Sequence, residues 1–193
     1  MKQINDIKTV FMDMDGVLVD IISPLTKLTQ EQSYYFNYDY AKQFPFGKWR
    51  ILKEDVFTKL NMEFWRDAPF TPDGLDILEY FENMYGSENI YILSQPTGYD
   101  GCLEGKYNWI KKNIPDYRKR FLLGKPKWAV ANDKSLLVDD CDRFVNNWID
   151  NDGFGILVPR LWNSKYTKVK SLIEHKRNNA FNFEIKWKET EII

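Results

Sequence analysis

Residues 9–20 read T-V-F-M-D-M-D-G-V-L-V-D, and the rest of the sequence is interpreted from this stretch. It opens with a short apolar run that is typical of a buried parallel strand. Asp13 and Asp15 follow directly, one residue apart, and Gly16 comes next. Ligands of open α/β sheets bind at the carboxyl ends of the strands. The stretch therefore predicts two carboxylates at a functional sheet edge, although Asp and Gly also suit a plain strand-ending turn.

The composition indicates a folded protein with one domain, or one domain with a modest insertion. Of 193 residues, 44% are hydrophobic and 16% aromatic, which supplies a packed core and argues against disorder. The formal net charge is −1 with interspersed signs, so no basic stripe predicts binding to duplex nucleic acid. We find neither a secretory leader nor an apolar run of ~20 residues, and we expect a cytoplasmic protein without a membrane partner.

Two cysteines and one histidine narrow the chemistry further. Cys102 and Cys141 are too few for a disulfide framework, although one bridge remains open. They are more often small core residues than nucleophiles. His175 lies in a basic C-terminal stretch, which argues against a mechanism that needs a buried histidine base.

Short apolar runs alternate with helical patterns along the chain. Strands are predicted at residues 8–12, 89–93, 120–123, 135–138 and 155–158. Helices are predicted at residues 17–28, 71–85 and 128–132, and on a segment whose buried face carries Leu103, Tyr107, Ile110 and Ile114. Thr71 suits the N-cap of the second helix. The alternation predicts an α/β fold, with a Rossmann-like three-layer arrangement around a parallel sheet.

One region breaks this alternation. Residues 30–66 are rich in aromatic side chains and poor in periodicity, so we predict a small, mostly helical cap inserted after the first strand. The predicted domains are a core of residues 1–20 and 68–162, a cap of residues 21–67, and a C-terminal extension of residues 163–193. A basic helix predicted at residues 166–177 would either support a homodimer or form a solvated face, and we favour the solvated face.

Four polar clusters follow predicted parallel strands and should meet at one sheet edge. They are Asp13 with Asp15, Ser94, Lys127 with Lys125 nearby, and Asp139 with Asp140. Carboxylates gathered this closely resist joint ionisation, and Mg²⁺ relieves that repulsion while binding substrate phosphate. Plainer readings stay open, because Ser94 also suits a turn, Lys127 a solvated helix start, and the Asp pair a helix N-cap.

In order, D-M-D-G-V, Ser94, Lys127 and D-D match the four motifs of the haloacid dehalogenase-like (HAD) phosphatases. Within that superfamily the chain most resembles the 5′(3′)-deoxyribonucleotidases. The likeness lies in F-M-D-M-D-G-V-L-V-D, in F-W-R-D-A-P-F-T-P-D-G (residues 64–74) and in G-K-Y-N-W-I (residues 105–110). It covers residues 8–162. The resemblance implies a HAD-like core and a Mg²⁺-dependent phosphatase that hydrolyses (deoxy)ribonucleoside monophosphates.

The resemblance also implies a role for each matched residue. Asp13 would be the nucleophile that forms an aspartyl-phosphate, and Asp15 the general acid and then base. Ser94 and Lys127 would bind the phosphate, with Lys127 preferred over Lys125. The implied metal ligands are Asp13, the backbone carbonyl of Asp15, and Asp140 in preference to Asp139. The implied substrate-binding residues are Ile21, Trp49, Ser94, Gln95, Lys106 and Lys127.

Base recognition is the weakest part of the resemblance. Phe46, Trp49, Phe64 and Trp65 could flank a base, or could simply form the core of the cap. Ile21 stands where an aromatic residue would give a better stacking platform, which leaves base preference open. Two alternatives to nucleotide hydrolysis remain: a HAD phosphatase for another small phosphometabolite or a nucleic-acid 3′-phosphate, and a non-catalytic binding module on the same fold.

Overall fold

The computed structural model describes residues 6–29, 60–160 and 162–165. Within them, five strands form one parallel sheet: β1 (Thr9–Met12), β2 (Ile90–Ser94), β3 (Phe121–Leu123), β4 (Ser135–Asp139) and β5 (Phe154–Leu157). The strand order is β3-β2-β1-β4-β5, and every pairing is parallel. The predicted α/β fold with a Rossmann-like parallel sheet is confirmed.

Helices cover both faces of the sheet. They are α1 (Ile22–Thr29), α2 (Met62–Asp67), α3 (Gly74–Tyr85), α4 (Cys102–Asn113) and α5 (Asp142–Asp150), with 3-10 turns at Ser87–Asn89, Pro115–Arg120 and Lys127–Val130. Alternate residues of β1 enter different cores, because successive strand side chains point to opposite faces. Val10 and Met12 pack in the larger core with residues of α3 and α4, whereas Phe11 packs against Trp148 of α5. The sheet is therefore the middle of three layers.

The register brings the ends of the two central strands level. Met12 pairs with Val138, so the next residues, Asp13 after β1 and Asp139 at the end of β4, lie side by side. The backbone N–H of Asp13 donates to the carbonyl of Val138 at 2.8 Å, which extends the pairing to the edge. Strand pairing alone thus positions two of the predicted acidic residues next to each other.

Helix α1 begins later than predicted. The sequence pattern predicts a start at residue 17, but Val19 forms isolated bridges with Asp15 and Phe70 instead. Asp20 then caps the helix, because its Oδ1 accepts from the backbone N–H groups of Ile22 and Ser23 at 3.0 and 2.9 Å. Apolar periodicity missed this turn because its apolar side chains are buried as well.

The prediction that Thr71 caps the next helix is wrong. Helix α3 begins at Gly74, with Asp73 at the N-cap position. The Thr71 hydroxyl donates instead to the carbonyl of Val17 at 2.5 Å. Thr71 therefore fastens the turn after the Asp13–Gly16 segment to the start of α3.

The predicted buried face of α4 is also wrong in part. Leu103 and Tyr107 are 56% and 46% exposed, whereas Cys102, Lys106 and Trp109 are fully buried. Gly105 explains the rotation, because a Cβ there would lie 2.5 Å from the backbone carbonyl oxygen of Met62 in α2. Gly105 therefore faces α2, and in this orientation of α4 the neighbouring Lys106 is buried.

Several predictions fall on residues outside the described ranges. Residues 30–59 contain most of the predicted cap, and residues 166–193 contain nearly all of the C-terminal extension. The proposed domain boundaries accordingly stay predictions. Among the described residues, no helix combines the length and apolar character that crossing a membrane requires.

Candidate active site

A buried lysine joins two carboxylates at the centre of the site. Lys127 Nζ lies 2.7 Å from Asp13 Oδ1 and 2.6 Å from Asp139 Oδ2. Asp13 Oδ1 also accepts from the backbone N–H of Met14 at 2.7 Å, and Asp139 Oδ1 accepts from that of Cys141 at 2.8 Å. All three charged side chains are buried. Neighbouring backbone and the lysine thus fix both carboxylates in place.

Burial and crowding perturb the proton affinities of this group. Burial raises the pKa of Asp13 well above its ordinary value; Lys127 opposes this rise, while Asp139, Asp140 and Asp15 add to it. Burial likewise raises the pKa of Asp139. Burial alone would lower the pKa of Lys127, but Asp13 and Asp139 outweigh it and raise that pKa. A further cation would favour ionisation of these crowded carboxylates.

Three carboxylates are arranged as a metal site would require. Asp13, Asp139 and Asp140 each offer one oxygen, and these oxygens lie within 4.8 Å of one another. An all-oxygen, anionic donor set fits a hard cation such as Mg²⁺. Both oxygens of Asp139 accept hydrogen bonds, from Lys127 and from the backbone of Cys141, and Asp140 Oδ2 accepts from Trp162, so the preference for Asp140 as a ligand stays a prediction.

A second lysine joins Asp15 to the end of β2. Lys106 Nζ donates to Asp15 Oδ2, to Ser94 Oγ at 2.8 Å and to the carbonyl of Gln95 at 3.4 Å. The ring centroid of Trp65 lies 4.9 Å from the same ammonium. Asp15 Oδ1 is buried and has no hydrogen-bond partner among the described residues. It is an acceptor available to a hydroxyl group or a water molecule.

Gly16 brings the first acidic pair close to the last. Its φ is +86°, and a Cβ at this position would lie 2.3 Å from Asp140 Oδ2. Glycine adopts this conformation without the strain that a side chain would add. A side chain at position 16 would overlap the Asp140 carboxylate, so this position requires glycine.

The sequence analysis missed a third set of residues at this edge. The segment after β5 holds Arg160, Trp162 and Asn163, and all three bond to the loops that carry the acidic residues. Their signal was present in the sequence, since R-L-W-N at residues 160–163 closely follows a predicted strand. The rule that selected Ser94 and Lys127 would have selected these residues too.

The other predicted residues divide by position. Lys125 is exposed, whereas Lys127 contacts Asp13. Ile21 is 1% exposed and packs in the larger core, so a contact between Ile21 and a substrate base stays a prediction. Trp65 is buried and Phe64 partly buried. Phe46 and Trp49 lie outside the described residues.

Comparison with known proteins supports the fold. No protein-family model matches the sequence. A dehalogenase crystal structure aligns over 93% of this chain and 100% of its own, with a TM-score of 0.54 and 17% identity. A dehalogenase with an intermediate complex aligns over 92% and 99%, with a TM-score of 0.54 and 15% identity. L-2-haloacid dehalogenase from Xanthobacter autotrophicus aligns over 96% and 91%, with a TM-score of 0.51 and 14% identity. The chain therefore has the fold of the haloacid dehalogenases.

Proposed function

We propose that this protein is a Mg²⁺-dependent phosphatase that hydrolyses (deoxy)ribonucleoside monophosphates through an aspartyl-phosphate on Asp13. The observation that carries the proposal is the pair of acidic residues with different surroundings. Asp13 is held by Lys127 within the acidic cluster, whereas Asp15 keeps one buried oxygen without a partner among the described residues. One carboxylate is suited to attack, and the other to exchange protons with a ligand.

In the first step an oxygen of Asp13 attacks phosphorus. A bond forms between this oxygen and phosphorus while the bond from phosphorus to the ester oxygen breaks. Asp15, in its protonated form, gives its proton to the departing alkoxide, which leaves as an alcohol. Lys127 is already within 2.7 Å of Asp13 and neutralises charge that develops on the transferring group.

In the second step water hydrolyses the aspartyl-phosphate. Asp15, now a carboxylate, accepts a proton from the water that attacks phosphorus, and the bond between Asp13 and phosphorus breaks. Ser94 and Lys106 are bonded to each other at 2.8 Å and would bind phosphate oxygens throughout. The protein then returns to its starting protonation state.

The acidic cluster would hold the metal. Asp13 and Asp140, with the backbone carbonyl of Asp15, are the proposed ligands, and Asp139 supports Lys127. Bound Mg²⁺ would supply positive charge that neutralises the carboxylates and the substrate phosphate. The residues fit this cation because every side-chain donor in the cluster is an oxygen.

Chemistry favours a phosphatase over a dehalogenase on this fold. A halide is a stable anion and leaves carbon without being protonated, so dehalogenation has no use for an acid beside the nucleophile. An alkoxide is a poor leaving group and needs a proton. Asp15, with its unpartnered buried oxygen, meets that need. The nucleotide part of the proposal rests on the sequence resemblance in residues 64–74 and 105–110.

The test is phosphate release from a substrate panel. Purified protein is mixed with Mg²⁺ and with 5′- and 3′-mononucleotides of both sugars, other small phosphomonoesters, an oligonucleotide 3′-phosphate, or a 2-haloacid. Asp13→Asn is the inactive variant. The matched control is Asp133→Asn, because Asp133 is an exposed carboxylate in the turn before β4.

We expect mononucleotides to be hydrolysed, EDTA and Asp13→Asn to abolish turnover, and Asp133→Asn to retain it. Release from other phosphomonoesters alone would keep the chemistry and reject the nucleotide. Halide release without phosphate release would reject the phosphatase. Ligand binding that is unchanged by EDTA and by Asp13→Asn, with no turnover, would indicate a binding module.

A further inference from the structure

One short segment holds Asp140 by both its side chain and its backbone. The indole N–H of Trp162 donates to Asp140 Oδ2. The side-chain amide of Asn163 donates to the carbonyl of Asp140 at 2.9 Å and to that of Val158 at 2.7 Å. Asn163 is buried, and Trp162 packs against the larger core. Trp162 and Asn163, which follow β5, thus hold the residue at the end of the neighbouring strand β4.

The same segment is anchored to the loop of the proposed nucleophile. Arg160 Nε donates to the carbonyl of Gly16 at 2.6 Å. The two terminal nitrogens of Arg160 lie 2.8 Å from the two oxygens of Asp73 at the start of α3. Such a two-fold contact fixes direction as well as distance. Trp162 therefore contacts Asp140 close in sequence to Arg160, which is bonded to the residue that follows Asp15.

These contacts restrict how the Asp140 carboxylate can turn. The terminal torsion of aspartate is soft, so packing and hydrogen bonds have to set the direction of its oxygens. The Trp162 indole donates to Oδ2, and Gly16 lies so close to the same carboxylate that a Cβ on Gly16 would be 2.3 Å from Oδ2. Groups that orient metal ligands in this way commonly change metal affinity when they are removed.

We propose that Trp162 is a positioning residue for the magnesium site, with its indole N–H setting the orientation of the Asp140 carboxylate. This inference rests on the proposed function, because it takes Asp140 as a metal ligand. It assigns the segment after β5 to metal binding rather than to stability alone. Trp162 acts through Asp140 and needs no contact with the substrate.

The experiment compares two Trp→Phe substitutions, each of which removes one indole N–H donor. Trp162→Phe removes the N–H and keeps an aromatic ring. Trp109→Phe is the matched control, because the Trp109 indole N–H donates to the carbonyl of Ala68 at 2.7 Å, in a bond between α4 and the chain after α2. For each protein, thermal unfolding is followed over a Mg²⁺ series without substrate, and phosphate release is measured over the same series.

We expect Trp162→Phe to need about 10–100-fold more Mg²⁺ for the same thermal shift and for half-maximal activity. The rate at saturating Mg²⁺ should approach the unsubstituted rate. Trp109→Phe should lower the unfolding temperature and leave the Mg²⁺ dependence unchanged.

A Trp162→Phe protein with the unsubstituted Mg²⁺ dependence would overturn the inference, whatever its unfolding temperature. In that case the unsubstituted protein still responds to Mg²⁺, so the proposed function stands. If the unsubstituted protein shows neither a Mg²⁺-dependent shift nor Mg²⁺-dependent turnover, both proposals fail together.

Discussion

Replacing Lys127 by methionine tests the electrostatic centre of the molecule. Methionine has an unbranched side chain like the apolar stem of lysine, but it lacks the ammonium that lies 2.7 and 2.6 Å from Asp13 and Asp139. Breaking a buried ion pair by deleting one partner costs about 3–5 kcal/mol, because the other charge is left unpaired. In a chain of this size that corresponds to a fall of about 6–20 °C in the unfolding temperature.

The loss should depend on pH, with a definite sign. Lys127 opposes the rise in the pKa of Asp13 and of Asp139, so without it both values rise further. A carboxyl group whose pKa is higher in the folded state stabilises that state fully below its unfolded pKa. This contribution is lost as pH rises through the folded value. The stability of Lys127→Met should therefore fall from pH 5 towards pH 8, more steeply than that of the unsubstituted protein.

The measurement is urea unfolding at pH 5, 6.5 and 8 in EDTA, followed by tryptophan fluorescence. Lys125→Met is the matched control, because Lys125 is exposed two residues away and should change the free energy of unfolding by less than about 0.5 kcal/mol. Equal stabilities for the two variants, or a Lys127→Met deficit that does not change with pH, would refute the reasoning. A Lys127→Met protein that folds only at pH 5 would support it.

Two further substitutions test local geometry. Gly16→Ala places a Cβ 2.3 Å from Asp140 Oδ2 at a positive φ, so it should lower the free energy of unfolding by at least about 1–2 kcal/mol and weaken Mg²⁺ binding. Gly98→Ala is the control, because a Cβ there would meet open space. It should change neither the thermal unfolding nor the Mg²⁺ titration. Tyr117→Phe removes a 2.5 Å hydrogen bond to Glu82 and should cost about 1 kcal/mol at pH 7 in urea unfolding. Burial and then Glu82 raise the pKa of Tyr117, so the unsubstituted protein should lose stability above about pH 10, and Tyr117→Phe should lose less; equal alkaline slopes would contradict this.

The sheet was predictable because its signal is local. Each strand is a short apolar run, which is typical of a parallel sheet, and four of the five described strands are largely buried. Helix α5 was not predicted, although Phe144, Val145, Trp148 and Ile149 have helical spacing. The buried face of α4 was less accessible to sequence reasoning. Lysine is among the most exposed residue types, and Lys106 is buried because Asp15 and Ser94 are there to receive it.

The sequence was enough to predict that the site residues meet at one edge of the sheet. It was not enough to predict which side chains contact each other there. Neighbouring parallel strands bring Asp13, Ser94 and Asp139 to one edge of the sheet, and this follows from topology. Which lysine contacts which carboxylate depends on side-chain rotamers and helix rotation. The contact between Trp162 and Asp140 joins segments that are 22 residues apart, and periodicity carries no signal for it.

The charges of the site show why the proposed phosphate substrate would need the proposed metal. With every group ionised, Asp13, Asp15, Asp139 and Asp140 face two ammonium groups, those of Lys106 and Lys127, which leaves a net charge of −2. A phosphomonoester dianion would be repelled from such a site. One divalent cation would cancel this excess negative charge, so that the two lysines could bind the phosphate. The same charges would repel a haloacid anion too, but its halide leaves without a proton. Dehalogenation would therefore use Asp15 only as a base, whereas cleavage of a phosphoester would use it first as an acid and then as a base. The charge balance and the acid role of Asp15 therefore support the proposed phosphatase over a dehalogenase.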